Sequence, residues 1–392
     1  MKILLIDHDS GTTGSTISMV YLINFLIAKN HQVFVLTLKN ETVISNLDLT
    51  EKNRKNLSFH RYSSVFLNTW SLDFHFTDQK KYTRTGSIIS NFRNLLKISY
   101  TIFYSLKLIR EIEPDIVYAN EYVSSAFLIV PHLFGIETIC HVRSRMLPQG
   151  TDKFAEFLSK WILRNFARKI FCITSIEMNQ FLKSSEISKK CKVVPEFLDE
   201  RDFKNERKIN IENETRILFA GGISELKGTL EFIKTINVLL HKGYAIKAVI
   251  SGKEYHSTLV ENEYTDHCKQ ESKLIGNGRN FEFYENIKKN GLFENIDILV
   301  VTNSESHFSR PIIEAWANKV AVVAYENEHN SNVITDGLNG LLAEKNHEAL
   351  ASKIGSILSN KILFETIVNN GFLSASTKFD SNVILNDLFN AV

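Results

Sequence analysis

The sequence predicts an α/β protein with two doubly wound domains, each built on a parallel sheet. Its 392 residues exceed what one hydrophobic core usually supports. Short apolar segments rich in β-branched residues alternate with helical segments in both halves, which is typical of βαβ units. The segment 199–214 is highly charged and poor in apolar side chains, as inter-domain linkers are.

Composition restricts the class of protein further. Apolar residues make up 44% and charged residues 23%, the balance of a soluble globular protein, and the formal charge of +2 gives no field that would indicate a nucleic-acid partner. The four cysteines form no CxxC pair or zinc-like spacing, so we expect no metal site, and free cysteines suit a cytoplasmic location. No stretch approaches about 18 uninterrupted apolar residues, so we expect any membrane contact to be peripheral.

The first domain is expected over residues 1–198. A helix near Ser18–Lys29 separates its first two strands, and residues 40–84, which are polar and irregular, are expected to form connections and short elements. The predicted strands are Lys2–Ile6, Gln32–Leu38, Asp115–Tyr118, Thr138–Val142, Ile170–Ile173 and Cys191–Val194.

A second domain is expected over residues 215–370, after a linker at 199–214. Residues 371–392 are expected to form a C-terminal helix that packs back on the first domain. Helices are predicted near Thr229–Lys242 and Pro311–Asn318. The predicted strands are Arg216–Phe219, Ala248–Ser251, Phe281–Tyr284, Ile296–Val301 and Val320–Ala324.

A glycine-containing loop follows the first strand, with Gly11 and Gly14 ahead of the helix. Glycines there allow backbone N–H groups to approach a phosphate at a helix N-terminus. A tight turn with a Ser or Thr cap explains the loop equally well. The spacing is not GxGxxG, which disfavours a nicotinamide-dependent enzyme.

A second loop runs from the end of a predicted strand through Gly221 and Gly222 to Lys227, just before a helix. Ligands bind open α/β sheets at the carboxyl ends of their strands, where glycines give them access to the backbone. Lys227 supplies a point charge suited to a diphosphate. A surface lysine beside a turn is the alternative interpretation.

A third loop joins a buried strand to a helix in which Pro311 suits the first turn. Glu314 lies about one turn inside, where its carboxylate can accept hydrogen bonds from two ribose hydroxyls. An acid in this position also complements the helix dipole, and the local sequence does not decide between the two roles.

In the order and spacing of these motifs, the sequence resembles the retaining GT-B glycosyltransferases of family GT4, the glycosyl transferases group 1. The resemblance covers most of the C-terminal half and is looser in the N-terminal half, at Pro114–Val117 and Cys140–Arg143. In the C-terminal half it includes Gly221, Lys227–Gly228, Phe308, Ile313–Ala315, Ala321–Ala324 and Ile334–Leu342.

The resemblance implies a GT-B fold, two Rossmann-like domains facing across a cleft, with the acceptor on the first domain and the donor on the second. It implies that Lys227 contacts the donor diphosphate and Glu314 the ribose, while His141 lies near the transferred sugar. The other donor-binding positions that it implies are Gly14, Gly221, Gly222, Ser306, Phe308, Ser309 and Arg310.

Two positions depart from the family pattern. Ser306 stands where the family often has a glutamate, with Glu305 one residue away, and Gly222 stands where an arginine often follows the first glycine. We expect Arg310 to replace that lost positive charge at the diphosphate, and we count it with Lys227 and His141 among the candidate catalytic residues. Without the resemblance, His141 at a strand end is more typical of a structural histidine.

Two amphipathic segments combine apolar and basic residues. One includes Phe92, Leu95, Leu96 and Phe103, and the other Phe157, Trp161, Ile162 and Phe166. Such helices can lie on an anionic membrane surface, but a helix packed on a core has the same stripe, and we favour core packing.

The function that the resemblance implies is transfer of a hexose-like sugar from a UDP- or GDP-sugar to a glycan or lipid-linked acceptor, with retention of configuration. The setting would be bacterial surface polysaccharide synthesis, such as capsule or lipopolysaccharide, with no required cofactor and with peripheral contact at the cytoplasmic face of the inner membrane. Two alternatives stay open: a nucleotide-sugar epimerase, and a catalytically silent subunit that binds a glycan or a partner enzyme.

Overall fold

A computed structural model describes residues 1–7, 14–37, 54–61, 84–144, 153–180, 187, 189–204, 214–252, 259–284, 291–303 and 308–390. The chain forms two compact units. Unit 1 is Met1–Phe197 together with Ile384–Val392, and unit 2 is Leu198–Val383. Each is an α/β unit on a parallel sheet, which confirms the predicted fold class.

Unit 1 is built on a seven-stranded sheet in the order β3-β2-β1-β4-β5-β6-β7. Every neighbouring pair is parallel, from Ile3 beside Val33 to Cys172 beside Val193. The strands are β1 (Lys2–Ile6), β2 (Gln32–Thr37), β3 (Leu57–Arg61), β4 (Ile116–Ala119), β5 (Glu137–Val142), β6 (Lys169–Cys172) and β7 (Cys191–Val193).

Helices cover both faces of this sheet, so most of its side chains are buried on both sides. One face packs against α1 (Gly14–Ala28) and α12 (Ser381–Asn390), whose Leu385 and Leu388 enter the core. The other packs against α2 (Arg84–Ile112), a 3₁₀ helix (Tyr122–Leu128), α3 (Ile129–Leu133) and α4 (Lys153–Phe166). A short helix, α5 (Ser175–Asn179), follows β6.

Unit 2 is built on a six-stranded parallel sheet in the order β10-β9-β8-β11-β12-β13. The strands are β8 (Thr215–Ala220), β9 (Ile246–Ser251), β10 (Phe281–Tyr284), β11 (Ile298–Val301), β12 (Ala321–Tyr325) and β13 (Leu341–Ala343). The helices are α6 (Thr229–His241), α7 (Leu259–Leu274), α8 (Arg310–Ala317), α9 (Glu328–Val333), α10 (His347–Leu358) and α11 (Lys361–Lys378).

Two apolar cores lie on opposite faces of the second sheet. One is formed by α6 and α10 with inward residues such as Phe232 and Ile354, and the other by α8 and α11 around the fully buried Trp316. Gly371 of α11 lies against the Trp316 ring, where a Cβ would approach Cδ1 to 2.5 Å. The glycine therefore lets α11 pack closely on α8.

Sequence patterns missed two edge strands. We expected connections and short elements over residues 40–84 and predicted no particular strand there, but β3 lies within this range beside β2, with Val35 next to Phe59. The three-residue β13 was also missed. Both elements are short and lie at sheet edges, where the apolar pattern is weak and pairing with a neighbour decides the conformation.

Candidate functional site

The second sheet has a topological switch point between β8 and β11. Chain connections lead from β8 outward to β9 and β10, and from β11 outward to β12 and β13 on the other side. Because the strands are parallel, the loops after β8 and β11 leave from the same edge and diverge. Open α/β sheets bind ligands in the crevice between such loops.

The loop after β8 packs its backbone closely on the end of β9. Gly222 has φ +65°, and its N–H donates to the Ser251 carbonyl at 2.9 Å. A Cβ on Gly252 would come within 2.5 Å of the Gly222 nitrogen. A side chain at Gly252 therefore has no room, and the backbone itself forms this part of the edge.

Lys227 lies in a turn that is anchored to the end of β11. The Thr302 hydroxyl oxygen is 2.9 Å from the carbonyl oxygens of both Lys227 and Gly228, so its proton can be donated to either. Gly228 has φ +78°, and a Cβ there would lie 2.3 Å from the Thr302 carbonyl oxygen. These contacts bring Lys227 to the switch point, and burial lowers the pKa of its amine.

The loop after β11 leads into α8. Ser306 falls in 304–307 and lies outside the described residues. Asn303 is buried before this gap, and Phe308 follows it, half-buried with its ring 6.4 Å from the ring of Phe379. Ser309 is the extended residue ahead of α8, and Pro311 occupies its first turn as predicted.

Arg310 and Glu314 form an ion pair along the first turn of α8. The Arg310 Nε donates to Glu314 Oε1 at 2.9 Å, and the two side chains are only 8% and 9% exposed. The helical spacing of four residues places them on the same face. Helix α8 thus presents a buried carboxylate that is already paired with a cation.

In unit 1 the switch point lies between β1 and β4. Gly14 is the first residue of α1 and is half-buried at this edge. The Asn120 amide, directly after β4, donates to Asp7 Oδ1 and to the Ser15 carbonyl, both at 3.2 Å. Asn120 therefore joins the ends of β1 and β4 to the start of α1.

A buried ionic cluster extends from this point along the sheet edge. Arg143, directly after β5, donates from Nε to Asn120 Oδ1 at 2.7 Å and from Nη1 to Glu196 Oε1 at 2.8 Å. The other Glu196 oxygen accepts from the Ser18 hydroxyl. Arg143 Nη2 is also buried and makes no hydrogen bond to the described residues.

Glu121 lies beside this cluster. Its Oε1 accepts from the backbone N–H of Tyr122 at 2.9 Å and from that of Arg143 at 3.3 Å. Burial raises the pKa of the Glu121 carboxyl to about 7, although these hydrogen bonds favour the ionised form. The carboxyl can therefore exchange a proton near neutral pH.

His141 lies inside the sheet of unit 1 and is fully buried. Its Nε2 is 3.1 Å from the Val194 carbonyl oxygen, which only accepts, so the proton lies on Nε2. The Tyr118 hydroxyl then donates to Nδ1 at 2.6 Å. Burial, aided by the Arg143 charge, holds the pKa of the imidazole well below its usual range. These are the contacts of a structural histidine, and a role for His141 at the sugar stays a prediction.

The structure therefore brings together some of the predicted residues. In unit 2, the loop with Gly221, Gly222 and Lys227 lies beside the strand that leads to α8. In unit 1, sequence reasoning missed Asn120, Glu121 and the Arg143–Glu196 pair. The signal was present, because charged or amide side chains follow the apolar strands β4 and β5 directly.

The described ranges show neither a metal-binding cluster nor a membrane-spanning helix. They contain no group of three or more His, Cys, Asp or Glu side chains arranged to hold a metal ion. Among the helices of those ranges, none is long and apolar enough to cross a membrane.

Comparisons with known proteins agree with this architecture. Residues 201–373 match the profile of the family described as glycosyl transferases group 1. The capsular polysaccharide biosynthesis glycosyltransferase CapM of Staphylococcus aureus is 25% identical over 173 residues, a match that spans 43% of this chain and 43% of the length of CapM.

Solved structures match over essentially the whole chain. HepE from Anabaena in complex with UDP superposes with a TM-score of 0.76 at 16% identity, covering 100% of this chain and 99% of that one. TarM of S. aureus, in a complex with fondaparinux, α-GlcNAc-glycerol and UDP, gives a TM-score of 0.70 at 13% identity, with 99% of each chain covered. At these identities the likeness shows the fold alone, which is the expected GT-B fold.

Proposed function

Since residues 201–373 form a glycosyl transferases group 1 segment on a GT-B fold, we propose that this chain transfers a sugar from a nucleotide diphosphate sugar to a glycan or lipid-linked acceptor. The observation that carries the proposal is the β8/β11 switch point, where Thr302 fixes the Lys227 turn beside the strand that leads to Glu314. A cation and a carboxylate at this edge suit the diphosphate and the ribose of one donor.

The donor is a UDP- or GDP-sugar. The HepE complexes with UDP and with UDP-glucose support this class, because that protein shares the fold. CapM supports a surface-glycan acceptor by its description as a capsular polysaccharide biosynthesis glycosyltransferase. Lys227 stabilises negative charge on the departing diphosphate, a form of electrostatic stabilisation that acts as the sugar bond breaks.

The proposed stereochemical outcome is retention of configuration at the anomeric carbon, which the family resemblance supports. In this reaction the bond between the anomeric carbon and the diphosphate oxygen breaks, and the acceptor oxygen bonds to the same carbon from the same face. The acceptor proton passes to the departing phosphate, which leaves as a nucleoside diphosphate. The anomeric coupling constant of the first-formed product, measured by NMR, would distinguish retention from inversion.

A thermal-shift screen against UDP- and GDP-sugars tests donor binding, because a ligand that binds the native state raises the melting temperature. We expect one nucleotide class to raise it, and expect Lys227→Ala to reduce the shift. Lys242→Ala, an exposed lysine just after α6, is the matched control. No shift with any donor would contradict the proposal. Binding without transfer to any acceptor would instead favour the silent subunit, and a changed sugar without acceptor would favour the epimerase.

A second feature supports the expected contact with a membrane. On the outward side of the helix layer formed by α2, α3 and α4, large apolar side chains are exposed although we favoured core packing for both stripes. Ile162 of α4 is buried as expected. The exposed members are Phe92, Leu95, Leu96, Phe103, Leu133, Phe134, Phe157 and Trp161, which we call the apolar face.

The two helices that carry most of the apolar face are basic in sequence. Helix α2 contains five basic residues and one acidic residue, and α4 contains three and one, although Lys97 of α2 is buried and does not reach this surface. Together the two helices contribute a larger formal charge than the +2 of the whole chain. Aromatic residues beside lysine and arginine suit an interface with anionic lipid, so we propose peripheral binding to a cytoplasmic membrane surface.

Sedimentation with vesicles tests this binding. We expect the protein to sediment with vesicles that contain phosphatidylglycerol more than with pure phosphatidylcholine, and Phe103→Ser with Trp161→Ser to reduce the bound fraction. Ile362→Ser in unit 2 is the matched control, since Ile362 and Phe103 are both 77% exposed. Equal binding of all variants, or none by the wild type, would refute the membrane proposal.

A further inference from the structure

The Arg310–Glu314 pair is unusual for the helix that carries it. Arg310 is the first residue of α8, where the positive end of the helix dipole disfavours a cation. The order is also the weaker one, because an acid four residues before a base stabilises a helix better than the reverse. Local helix energetics therefore do not explain why an arginine occupies this position.

Because the pair is buried, the Glu314 carboxylate depends on Arg310 as its partner. Both side chains are almost completely buried, and an ionised carboxylate is costly to bury unless a cation or hydrogen bonds compensate it. The Arg310 Nε donates directly to Glu314 Oε1 at 2.9 Å. A planar guanidinium fixes the direction of its hydrogen bonds more strictly than an ammonium does. Arg310 thus fixes the orientation of the Glu314 carboxylate.

We propose that Arg310 is a positioning residue: it holds the Glu314 carboxylate for the two ribose hydroxyls of the donor and makes no direct contact with the diphosphate. This revises the sequence expectation, in which Arg310 replaced a missing cation at the diphosphate. The inference rests on the proposed function, since it takes Glu314 as the ribose-binding residue. Lys227 then remains the cation that acts on the diphosphate.

A positioning role and a phosphate-contacting role for Arg310 depend on different parts of the nucleotide. A positioning arginine affects recognition of the ribose, so its loss weakens the binding of nucleoside monophosphates and diphosphates equally. Its loss does not change the binding of analogues that lack the 2′- and 3′-hydroxyls. Loss of an arginine that contacts phosphate would instead weaken the binding of diphosphates selectively, whether or not the ribose hydroxyls are present.

Calorimetric titration of the full chain with UMP, UDP, GMP, GDP and 2′,3′-dideoxy-UDP and -GDP separates these roles. For the nucleotides that bind, we expect Arg310→Gln to lower the affinity for monophosphate and diphosphate by the same factor, about tenfold or more, as for loss of a charge-assisted hydrogen bond. Affinity for the dideoxy analogue should not change, and Arg310→Lys should restore part of the loss. Lys361→Gln, an exposed lysine on α11, is the control.

A double-mutant cycle gives a second measurement. Glu314→Gln should weaken binding by itself, and adding Arg310→Gln to it should have no further effect, because the group to be positioned has gone. The melting temperature of each unliganded variant shows whether it has folded. If Arg310→Gln unfolds, Arg310→Lys is compared with the wild type instead. We then expect a smaller loss of affinity, and only for the ribonucleotides.

Three results would overturn the inference. A loss confined to the diphosphates would show direct phosphate contact, and an equal loss on ribo- and dideoxynucleotides would show that ribose is not involved. Additive effects in the double variant would show that the two side chains act separately. Failure of the wild type to bind any of these nucleotides would refute the proposed function and this inference together, and is distinct from the other three.

Discussion

Arg143 and Glu196 form a buried ion pair at the edge of the first sheet, with Nη1 and Oε1 2.8 Å apart and both side chains almost inaccessible. Arg143 directly follows β5, whereas Glu196 lies close to the end of the first segment of unit 1. The pair fixes the chain that leaves β7 against the sheet edge, and Ser18 of α1 contacts the same carboxylate.

Removing one member of this pair should destabilise unit 1 strongly. Glu196→Ala leaves the Arg143 charge buried without its carboxylate, which should cost about 3–5 kcal/mol of unfolding free energy. The double variant Arg143→Met with Glu196→Leu should cost less than the sum of the single changes. Urea denaturation measures both. Asp387→Ala, which breaks the exposed pair with Lys192, should cost less than about 1 kcal/mol. Equal losses in the two pairs would contradict this account.

His141 should make the stability of unit 1 depend on pH below neutrality. The unfolded histidine binds a proton near pH 6.5, whereas burial lowers its folded pKa far below that. The unfolded state therefore binds more protons, so this contribution is complete above about pH 6.5 and is lost as the pH falls toward the folded pKa. His141→Gln should flatten the dependence of melting temperature on pH between about 7 and 5. A turnover loss greater than about 100-fold in a fully stable variant would instead indicate catalysis.

Glu121 should act in the opposite direction. Its folded pKa of about 7 exceeds its unfolded value, so its contribution is complete at acid pH and is lost as the pH rises through 7. Glu121→Gln keeps the oxygen that accepts from the Tyr122 and Arg143 N–H groups. As the pH rises from 6 to 8, the stability of the variant relative to that of the wild type should therefore increase, as measured by calorimetry. An unchanged difference across that range would show that Glu121 does not titrate there.

Gly371 should tolerate no side chain. Alanine is the better helix former by about 1 kcal/mol, but its Cβ would overlap the buried Trp316 ring. We expect Gly371→Ala to destabilise unit 2 by about 1–3 kcal/mol, the usual cost of overpacking a core. Thr377→Ala on the exposed face of α11 should be neutral or stabilising. A Gly371→Ala variant as stable as the wild type would mean that α11 can shift away from α8.

Thr302 should control the position of Lys227. Thr302→Val removes the hydroxyl that bonds the carbonyls of Lys227 and Gly228 but keeps a similar shape. Loss of this contact should lower the free energy of unfolding by about 1–2 kcal/mol. It should also raise the KM for the donor several-fold, with little change in the KM for the acceptor. Gly228→Ala should be more severe, because its Cβ would overlap the Thr302 backbone. Steady-state kinetics with each substrate varied in turn would measure the difference, and equal changes in both KM values would argue against it.

Some of the site was visible in the sequence because its signals are local. The glycines at Gly221 and Gly228 and the lysine between them follow from backbone geometry near the end of β8. The proline in the first turn of α8 follows in the same way from the geometry after β11. The Arg143 cluster was not visible, since its members come from β1, α1, β4, β5 and the segment after β7. Apolar periodicity says nothing about which of these strand ends become neighbours.

The sequence by itself determined the two α/β units, most of the strands and the family-like motifs of unit 2, because each depends on patterns spanning a few to about 15 residues. Tertiary structure decided the strand order and hence both switch points, and it showed which apolar residues of α2 and α4 remain exposed. It also decided that Arg310 turns toward Glu314 and that both ring nitrogens of His141 are engaged inside the sheet. Burial and the direction of a side chain depend on the elements packed around it, and no short sequence pattern encodes them.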